Sequence, residues 1–392
     1  MENVVIVAGA RTAFGGFGGS LKTVSPTDLV AHVIPEVLAR AGVGAEQLDG
    51  VVIGQVLTRT DENNLVARGG ALKAGVPDTV PCHCTIRGCG SGMEAINAGC
   101  RQIMLGEDHI ILAGGVDNMS MAPYLTKDAR FGLRMRDTVL TDSLWEVLKD
   151  PTTDLMMGMT AENIASKYGI SREDQDEHAL LSNQRALAAI EDGKLKPQIT
   201  PIEVKSRKGS FVFDTDEHPK DTTLEQLAKL PPAFKKDGGS VTAGNSSGIN
   251  DGCAAVLLMS ESRARELGIA PAGKVLAFAT AGVDPAYMGM GPVPASRKAL
   301  ERAGMKVEDV DVWEINEAFS AQYIYCEREL GVDRENANVW GGAVAYGHPV
   351  GASGARVLIN VLEVLEDRDR STGLATLCIG GGQGIATVVE RV

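Results

Sequence analysis

Residues 38–55, LARAGVGAEQLDGVVIGQ, recur in outline 262 positions later at 300–317, LERAGMKVEDVDVWEINE. Each copy predicts the end of a helix, a glycine at which the helix stops (Gly42 and Gly304), an acidic turn and then a buried strand. A helix–turn–strand unit that returns at a constant offset indicates that the chain is built from two similar halves.

The same offset relates a second pair of segments. It places the CGSG sequence at 89–92 on the GASG sequence at 351–354, and each is followed by a strand-like run that ends in glycines, HIILAGG at 109–115 and LATLCIGGG at 374–382. Apolar runs without alternation are typical of central strands that are covered on both faces. We therefore predict an α/β fold of two packed halves, with a site between them formed by loops of both.

The starts of the two halves correspond loosely, VVIVAGART at 4–12 with KVLAFATAG at 274–282. Residues from about 119 to 250 have no counterpart in the second half. We interpret them as an inserted, loop-rich subdomain that caps the site. The insertion contains one strongly predicted helix, which begins after Ser171 as N-cap and runs to about Glu191.

Composition excludes several classes of function. A net charge of −13 argues against nucleic acid or an anionic membrane as the main partner. No apolar run reaches transmembrane length, and the N-terminus lacks the pattern of a signal peptide. The seven cysteines are odd in number and widely spread, which argues against a disulfide framework and for a reducing compartment, the cytoplasm or an organelle matrix.

Cys89 lies in GCGSGMEAI (88–96), at the predicted start of a helix that stops at Gly106. A helix N-terminus favours a thiolate, and the neighbouring glycines allow a substrate to approach closely. The alternative is a small buried cysteine that only packs. This segment alone leaves both interpretations open.

His348 lies in GGAVAYGHPVGASG (341–354), directly before a proline. A residue before proline is kept out of the helical region, so this histidine stands on a rigid turn. It lies three residues before Gly351, the position equivalent to Cys89. If the halves pack about a pseudo-twofold axis, the two helix starts face each other; the alternative is a hydrogen-bonded structural histidine.

Two further segments suggest polar chemistry. Cys378 begins CIGGGQG (378–384), where consecutive glycine N–H groups can form an anion or oxyanion site, although a tight turn with a buried cysteine explains it equally well. Asn316 begins NEAFS (316–320) and can hold a water or donate to a developing negative charge. Its alternative is a simple cap between strand and helix.

One cluster in the sequence contains only zinc-ligand types: Cys82, His83, Cys84 and Cys89. Their spacing is not a standard zinc arrangement, and no second cysteine or histidine pair follows at finger spacing. We predict that the chain holds no metal.

Together these segments resemble the thiolase family of acyl-CoA C-acyltransferases, essentially from end to end. The motifs that carry the resemblance are VAGARTAFGGFGGSL (7–21), CGSGMEAI (89–96), AGGVDNMSMAPY (113–124), MGMTAENIA (157–165), SVTAGNSSGINDG (240–252), GPVPA (291–295), NEAFS (316–320), GGAVAYGHPVGASG (341–354) and CIGGGQG (378–384). The resemblance implies a five-layered αβαβα fold. It implies domains at 1–118 with 249–270 (N-terminal half), 119–248 (inserted loop subdomain for CoA binding and oligomer contacts) and 271–392 (C-terminal half).

The resemblance also implies roles for individual residues. Cys89 would be the nucleophile that becomes S-acylated, His348 would take its proton, and Cys378 would be the second acid/base. One oxyanion hole would be formed by His348 with a water held by Asn316. The other would be formed by the backbone N–H groups of Cys89 and Gly380.

The resemblance assigns coenzyme A to the insertion and its surroundings, as a substrate rather than a tightly bound cofactor. The residues implied in CoA binding are Ser247, Phe234, Met157, Met288, Lys220 and Thr222. Ser247 would contact the pantetheine arm, and Lys220 would substitute for an arginine usual near the nucleotide end. For both methionines the alternative is gap-filling core. The family further implies a homodimer or homotetramer.

The chain departs from the family pattern at several positions. The family usually has Asn at Ile86, a larger apolar residue at Gly88 and an aliphatic residue at Tyr346, and its biosynthetic members commonly have His at Met156 and at Tyr124. Several segments are closer to degradative 3-ketoacyl-CoA thiolases.

We therefore expect cleavage of 3-ketoacyl-CoA by CoA, or condensation of two acetyl-CoA molecules, through an S-acyl enzyme. The alternatives are a decarboxylating ketoacyl synthase on the same fold and a non-catalytic CoA-binding scaffold.

Overall fold

The structure is a computed structural model that describes residues 2–58, 65–127, 129–135, 137–206 and 209–392. The predicted insertion is therefore described except at positions 128, 136, 207 and 208.

The strands are β1 (Val4–Arg11), β2 (Gly15–Gly16), β3 (Gly50–Gly54), β4 (Cys82–Thr85), β5 (Ile110–Asn118), β6 (Tyr124–Leu125), β7 (Thr141–Asp142), β8 (Ile202–Ser206), β9 (Gly209–Phe213), β10 (Asn250–Ser260), β11 (Gly273–Gly282), β12 (Val312–Ile315), β13 (Thr372–Ile379) and β14 (Gln383–Arg391). The α-helices are α1 (Pro26–Ala41), α2 (Val66–Lys73), α3 (Ser91–Leu105), α4 (Ser143–Val147), α5 (Met157–Tyr168), α6 (Arg172–Glu191), α7 (Leu224–Ala228), α8 (Glu261–Leu267), α9 (Pro292–Ala303), α10 (Ser320–Leu330), α11 (Ala343–Tyr346) and α12 (Ser353–Asp367).

The main sheet has ten strands in the order β12-β13-β14-β11-β1-β10-β5-β3-β4, and β2 pairs with β10. β3 is parallel to β4 and β5, and β12 is parallel to β13, whereas the remaining neighbours are antiparallel. The strands from β4 to β1 belong to the first half of the chain and those from β11 to β12 to the second. The sheet is thus mixed, and the pairing on either side of its centre corresponds except for β4, which has no counterpart in the second half.

The repeat seen in the sequence is a repeat of structure. Strand β3 begins at Gly50 and β12 at Val312, while helix α3 begins at Ser91 and α12 at Ser353, so both offsets are 262 residues. The helices before these strands end at glycines with left-handed backbones, φ 65° at Gly42 and 68° at Gly304. The prediction of two similar halves is confirmed.

The layers follow from which helices contact which strands. α3 packs on β3 and β5 and also reaches β14, whereas α12 packs on β12 and β13 and also reaches β10. These two helices therefore form a central layer between the half-sheets. α1 and α2 cover the other face of the first half-sheet, and α9 covers that of the second with α10 beside it. This arrangement is the predicted five-layered αβαβα fold.

The starts of α3 and α12 face each other at very close range. A Cβ atom on Gly92 would lie 2.5 Å from the backbone oxygen of Gly351, and one on Gly354 would lie 2.4 Å from the backbone nitrogen of Met93. Only glycine allows this approach. The predicted opposition of the two helix starts is therefore present, and the repeated glycines are what permit it.

The two half-sheets are joined at a seam that the sequence analysis did not predict. β1 pairs with β11 in antiparallel fashion, with Val4 opposite Val275, Val5 opposite Lys274 and Ile6 opposite Gly273. These are the two strands that correspond in the repeat. The seam makes one continuous sheet of the two halves.

The described part of the insertion packs chiefly on the second half. α5 contacts the turn at 285–290 and α10, and α6 contacts α10 and α11. The predicted helix after Ser171 is confirmed, because the Ser171 hydroxyl accepts from the Asp174 backbone N–H as an N-cap. Among the described residues, no helix is both long enough and apolar enough to span a bilayer.

Candidate active site

Cys89 occupies a tight turn two residues before α3. Gly88 has a left-handed backbone, with φ 46°. The Ser91 hydroxyl donates to the Gly88 carbonyl (2.7 Å) and accepts from the Arg87 N–H (2.8 Å), which closes the turn. The turn holds Cys89 half-buried.

Cys89 lines a cavity of about 240 Å³ between the two halves and the insertion. The other walls come from all three parts of the chain and include Val56, Leu148, Lys149, Met157, Val350 and Gly380. Segment 147–151 and Met157 of the insertion border this cavity. The apolar wall suits an acyl chain better than a charged group.

The backbone N–H groups of Cys89 and Gly380 lie close enough to the Cys89 sulfur to act on its pKa. Burial raises the pKa of the Cys89 thiol, while the N–H groups of Gly380 and of Cys89 itself oppose this rise, and the carboxylate of Asp117 adds to it. These are the two N–H groups that the resemblance assigns to an oxyanion hole. An acyl oxygen on this sulfur would lie within their reach.

His348 is buried, and its neighbours define its tautomer. Nδ1 lies 2.6 Å from the Ser353 hydroxyl, which itself donates to the Pro349 carbonyl (3.0 Å). Because a hydroxyl has one proton, Nδ1 must be the donor to Ser353, and Nε2 keeps its lone pair. Nε2 lies 3.5 Å from Nδ2 of Asn316.

This imidazole is a neutral base. Burial, followed by the positive charge of Arg356, lowers the pKa of His348 to about 3. At neutral pH the ring is therefore uncharged, with an unprotonated Nε2 that can accept a proton from a thiol. A permanent thiolate–imidazolium pair is not favoured in the free enzyme.

Asn316 follows β12 and is fully buried. Its N–H donates to the Thr376 carbonyl (2.9 Å), which extends the pairing of β12 with β13. Its side-chain Oδ1 has no hydrogen-bond donor among the residues that the structure describes. A buried amide oxygen without a donor suits an amide that holds a water or ligand group.

Cys378 lies at the end of β13 and is fully buried. Burial raises the pKa of the Cys378 thiol well above its usual value, and the charges of Cys89 and Cys326 raise it further. Cys89 thus lies close enough to act on Cys378 electrostatically. A protonated thiol here suits a group that donates a proton to a carbanion and takes one back.

Three of the residues predicted to bind CoA lie around the site. The Phe234 ring packs edge-on against Phe319 at 6.1 Å and also against Gly158, where a Cβ would meet it at 2.2 Å. Met157 borders the cavity, and its sulfur would lie 3.3 Å from a Cβ on Gly380. The backbone N–H of Ser247 donates to Ala318 (3.0 Å), two residues beyond Asn316.

Lys220 and Thr222 lie in a separate cavity of about 370 Å³, with His218, Ala243 and Gly244. Burial and the charge of Lys220 lower the pKa of His218 to about 4, so His218 is neutral near pH 7. Met288 is only 2 % exposed within the apolar core of the second half, and its place in a CoA channel stays a prediction.

The sequence analysis missed two residues that orient His348. One is Ser353, which aligns with Ser91 at the offset of 262, and the repeat would have revealed it: each serine closes the turn before its helix. The other is Asn250, whose Oδ1 accepts from the His348 N–H (3.1 Å). Asn250 begins β10, so a residue of the first half holds the histidine of the second.

Two of the departures from the family pattern, at Gly88 and Tyr346, can be related to their local structure. A residue larger than glycine at position 88 would need its left-handed backbone, which costs an L-residue about 1–2 kcal/mol. The Tyr346 hydroxyl donates to the Trp340 carbonyl, so its polar end is satisfied within the protein.

Cys82 and Cys84 lie on β4, and within the described ranges no group of three histidine, cysteine or acidic side chains is placed to hold a metal ion.

The surroundings of the Cys89 thiol and of the His348 imidazole predict how the reactivity of Cys89 changes with pH. Because its pKa is raised and His348 is neutral, the rate of alkylation by iodoacetamide should keep rising with pH through about 8.5, where a free thiol titrates. The rate is measured by mass spectrometry of the Cys89 peptide, with Cys378→Ala to remove the second sulfur. A plateau already reached below neutral pH would instead indicate a thiolate–imidazolium pair.

Comparison with known proteins identifies the family. Residues 4–262 match "Thiolase, N-terminal domain" and residues 269–391 match "Thiolase, C-terminal domain". The chain is 52 % identical to an acetyl-CoA acetyltransferase of Pseudomonas aeruginosa over the full length of both proteins. The structure superimposes on the crystal structure of the Bacillus anthracis acetyl-CoA acetyltransferase with a TM-score of 0.98 and 49 % identity, covering 100 % of this chain and 99 % of that one.

A second similar solved structure contains bound CoA. Human mitochondrial 3-ketoacyl-CoA thiolase in complex with CoA has a TM-score of 0.96 and 42 % identity, covering 100 % of this chain and 98 % of that one. The predicted fold and the predicted enzyme class, an acyltransferase, are confirmed. By sequence over nearly its whole length and by fold, the chain belongs to the thiolase family.

Proposed function

We propose that the chain cleaves 3-ketoacyl-CoA with CoA to acetyl-CoA and a shortened acyl-CoA, and condenses two acetyl-CoA molecules in reverse, through an S-acyl-Cys89 intermediate. One observation carries the proposal above all. The Cys89 sulfur borders an apolar cavity and faces two backbone N–H groups, as a covalent acyl carrier requires.

In the first half-reaction the Cys89 sulfur attacks the 3-keto carbon while Nε2 of His348 takes the thiol proton. The C2–C3 bond then breaks, and its electron pair leaves on the acetyl-CoA enolate. Cys378 donates a proton to that enolate. The enolate oxygen would meet His348 and a water held by the buried Asn316 amide, whose Oδ1 needs such a donor.

In the second half-reaction the thiol of CoA attacks the acyl carbon on Cys89. The CoA thiol gives its proton to the Cys378 sulfur, which lost one to the enolate, and the Cys89 sulfur leaves and recovers its own proton from Nε2 of His348. The shortened acyl-CoA is then released. The oxygen of each tetrahedral intermediate on Cys89 would be stabilised by the N–H groups of Cys89 and Gly380. Coenzyme A is thus a substrate in this proposal.

The 370 Å³ cavity with Lys220 is the proposed site for the nucleotide end of CoA. Lys220 is exposed and its ammonium group can approach a phosphate as a point charge. We expect Lys220→Ala to raise KM for CoA about 5-fold with little change in kcat, since an exposed charge pair is worth up to about 1 kcal/mol. The effect should shrink with added salt.

Steady-state thiolysis at varied CoA measures this effect, and Lys306→Ala, on the exposed turn before β12, is the matched control. An unchanged KM in Lys220→Ala would place the nucleotide elsewhere.

The proposed function itself is tested by thiolysis rates across a series of 3-ketoacyl-CoA chain lengths. We expect activity, with a preference that reflects the apolar wall beside Cys89, and the degradative subtype predicts that chains longer than acetoacetyl-CoA are accepted. A chain that binds CoA but shows neither thiolysis nor acetylation of Cys89 would instead be a scaffold.

We also propose a cytoplasmic homodimer or dimer of dimers. β4 is an edge strand of the main sheet, and Ile86 just beyond it is 60 % exposed. The segment from Tyr124 to Trp145 exposes further large apolar side chains, among them Phe131 and Met135. Surfaces of this kind are usually covered by another subunit. Light scattering of the purified protein measures the state.

A further inference from the structure

Glu317 is a buried carboxylate next to Asn316 for which the proposed chemistry has no use. It is 1 % exposed, and hydrogen-bond donors surround both of its oxygens. Oε2 accepts from the Ser182 hydroxyl (2.7 Å) and from the Val344 N–H (3.1 Å). Oε1 accepts from Nδ2 of Asn338 (2.7 Å), and Nε2 of His178 lies 3.4 Å from it.

One of these partners, Asn338, holds the segment that carries Asn316. Asn338, which has a left-handed backbone of φ 46°, accepts from the Ile315 N–H and donates to the Ile315 carbonyl, both at 2.8 Å. Ile315 is the last residue of β12. Asn338 therefore stands in for a neighbouring strand at the point where β12 delivers Asn316, and Glu317 holds Asn338 in place.

The second group of partners lies on the segment that leads to His348. Val344 donates to Glu317 directly, and the Gly342 N–H donates to the Ser182 hydroxyl (3.0 Å). A Cβ on Gly342 would lie 2.2 Å from the Glu317 carboxyl carbon, so the backbone is pressed against the carboxylate. Glu317 thus contacts both segments that deliver the imidazole and the amide.

The third group belongs to the insertion. Ser182 and His178 lie on α6, and the His178 ring stacks on Tyr323 of α10 at 4.1 Å and 18°. Burial acts to raise the pKa of Glu317, but His178, Asn338 and Ser182 outweigh it and hold the pKa below its usual value. Ser182, Val344 and Asn338 are all donors to Glu317, which suits an ionised carboxylate; an amide would turn an NH₂ group toward a donor.

We propose that Glu317 is a positioning residue: through Asn338, Val344 and Ser182 it sets the separation of Asn316 and His348 and fastens both to α6 of the insertion. The proposal rests on the proposed function, because it assumes that Asn316 and His348 act together on the enolate oxygen. Misplacement of such groups by about 1 Å can reduce rates about 100-fold.

The first test is Glu317→Gln. We expect kcat for thiolysis of acetoacetyl-CoA to fall about 10–100-fold, with KM for CoA changed by less than about threefold. Glu327→Gln is the matched control, because Glu327 is a buried carboxylate of α10 bound by Arg334, and kcat should stay within about threefold of wild type. Ser182→Ala, which removes one donor and keeps the carboxylate, should lower kcat less than Glu317→Gln and covers the case in which Glu317→Gln fails to fold.

A double-mutant cycle separates positioning from general loosening of the fold. If Glu317 acts through Asn316, then Glu317→Gln should cost much less in an Asn316→Ala background than in wild type. Equal costs in both backgrounds, or full activity of Glu317→Gln, would overturn the positioning role. If wild type itself neither cleaves acetoacetyl-CoA nor acetylates Cys89, it is the proposed function that fails.

Discussion

Replacing Cys89 by alanine is expected to lower the rate of thiolysis by at least about 10⁴-fold, since no other group can carry the acyl chain. None of the other cysteines lines the Cys89 cavity, and four of them are buried. Cys100, Cys253 and Cys326 are fully buried, and burial raises the pKa of each thiol to about 12 or beyond. Cys378 is buried as well, whereas Cys89 is half-buried and borders the cavity.

The direct measurement is intact-protein mass spectrometry after incubation with acetyl-CoA. Wild type should gain one acetyl group on the Cys89 peptide, and Cys89→Ala should gain none. Cys253→Ala is the control, because it removes a fully buried cysteine of β10 and should still be acetylated. Acetylation of Cys89→Ala to the wild-type level would reject the nucleophile assignment.

Replacing Cys378 by alanine is expected to separate the two halves of the reaction. Acetyl transfer from acetyl-CoA to Cys89 should persist, because it needs His348 and the two N–H groups but not the second thiol. Formation and cleavage of the C–C bond should fall about 10²–10⁴-fold, the usual contribution of a general acid or base. The measurements are Cys89 acetylation by mass and acetoacetyl-CoA thiolysis by absorbance.

Cys326→Ala is the matched control for this variant. Cys326 is a buried cysteine of α10 that acts electrostatically on Cys378, and its sulfur lies 3.3 Å from the Gly289 carbonyl. We expect both half-reactions to survive in Cys326→Ala. Robust condensation by Cys378→Ala, or loss of Cys89 acetylation in it, would contradict the role assigned to the second thiol.

The repeat made most of the fold predictable. Because one offset relates β3 to β12 and α3 to α12, the two similar halves and the opposition of the helix starts followed from the sequence pattern, whereas the five layers were implied by the family resemblance. The seam between β1 and β11 did not follow. The pairing of β1 with β11 depends on which strand edges are left free once each half-sheet has formed. Neither hydrophobic periodicity nor turn residues in the sequence predict which edges these are.

The segments that carry the candidate catalytic residues could be singled out from the sequence, but the residues that surround them could not, and the catalytic roles stay predictions. Cys89, His348, Cys378 and Asn316 stand in motifs whose glycines and proline restrict the backbone. The residues that orient them come from elsewhere in the chain: Asn250 lies 98 positions before His348. Such contacts, and the tautomer that they impose, arise only from tertiary packing. The CoA-binding roles and domain boundaries stay predictions.

The seam also limits how the enzyme can move. A hinge that parted the two halves would have to break the β1–β11 ladder and pull apart glycine backbones already in contact between α3 and α12. Domain opening is therefore an expensive way to admit a ligand. We expect ligand entry to depend instead on the inserted segment 147–151, which borders the cavity, rather than on rotation of the two halves.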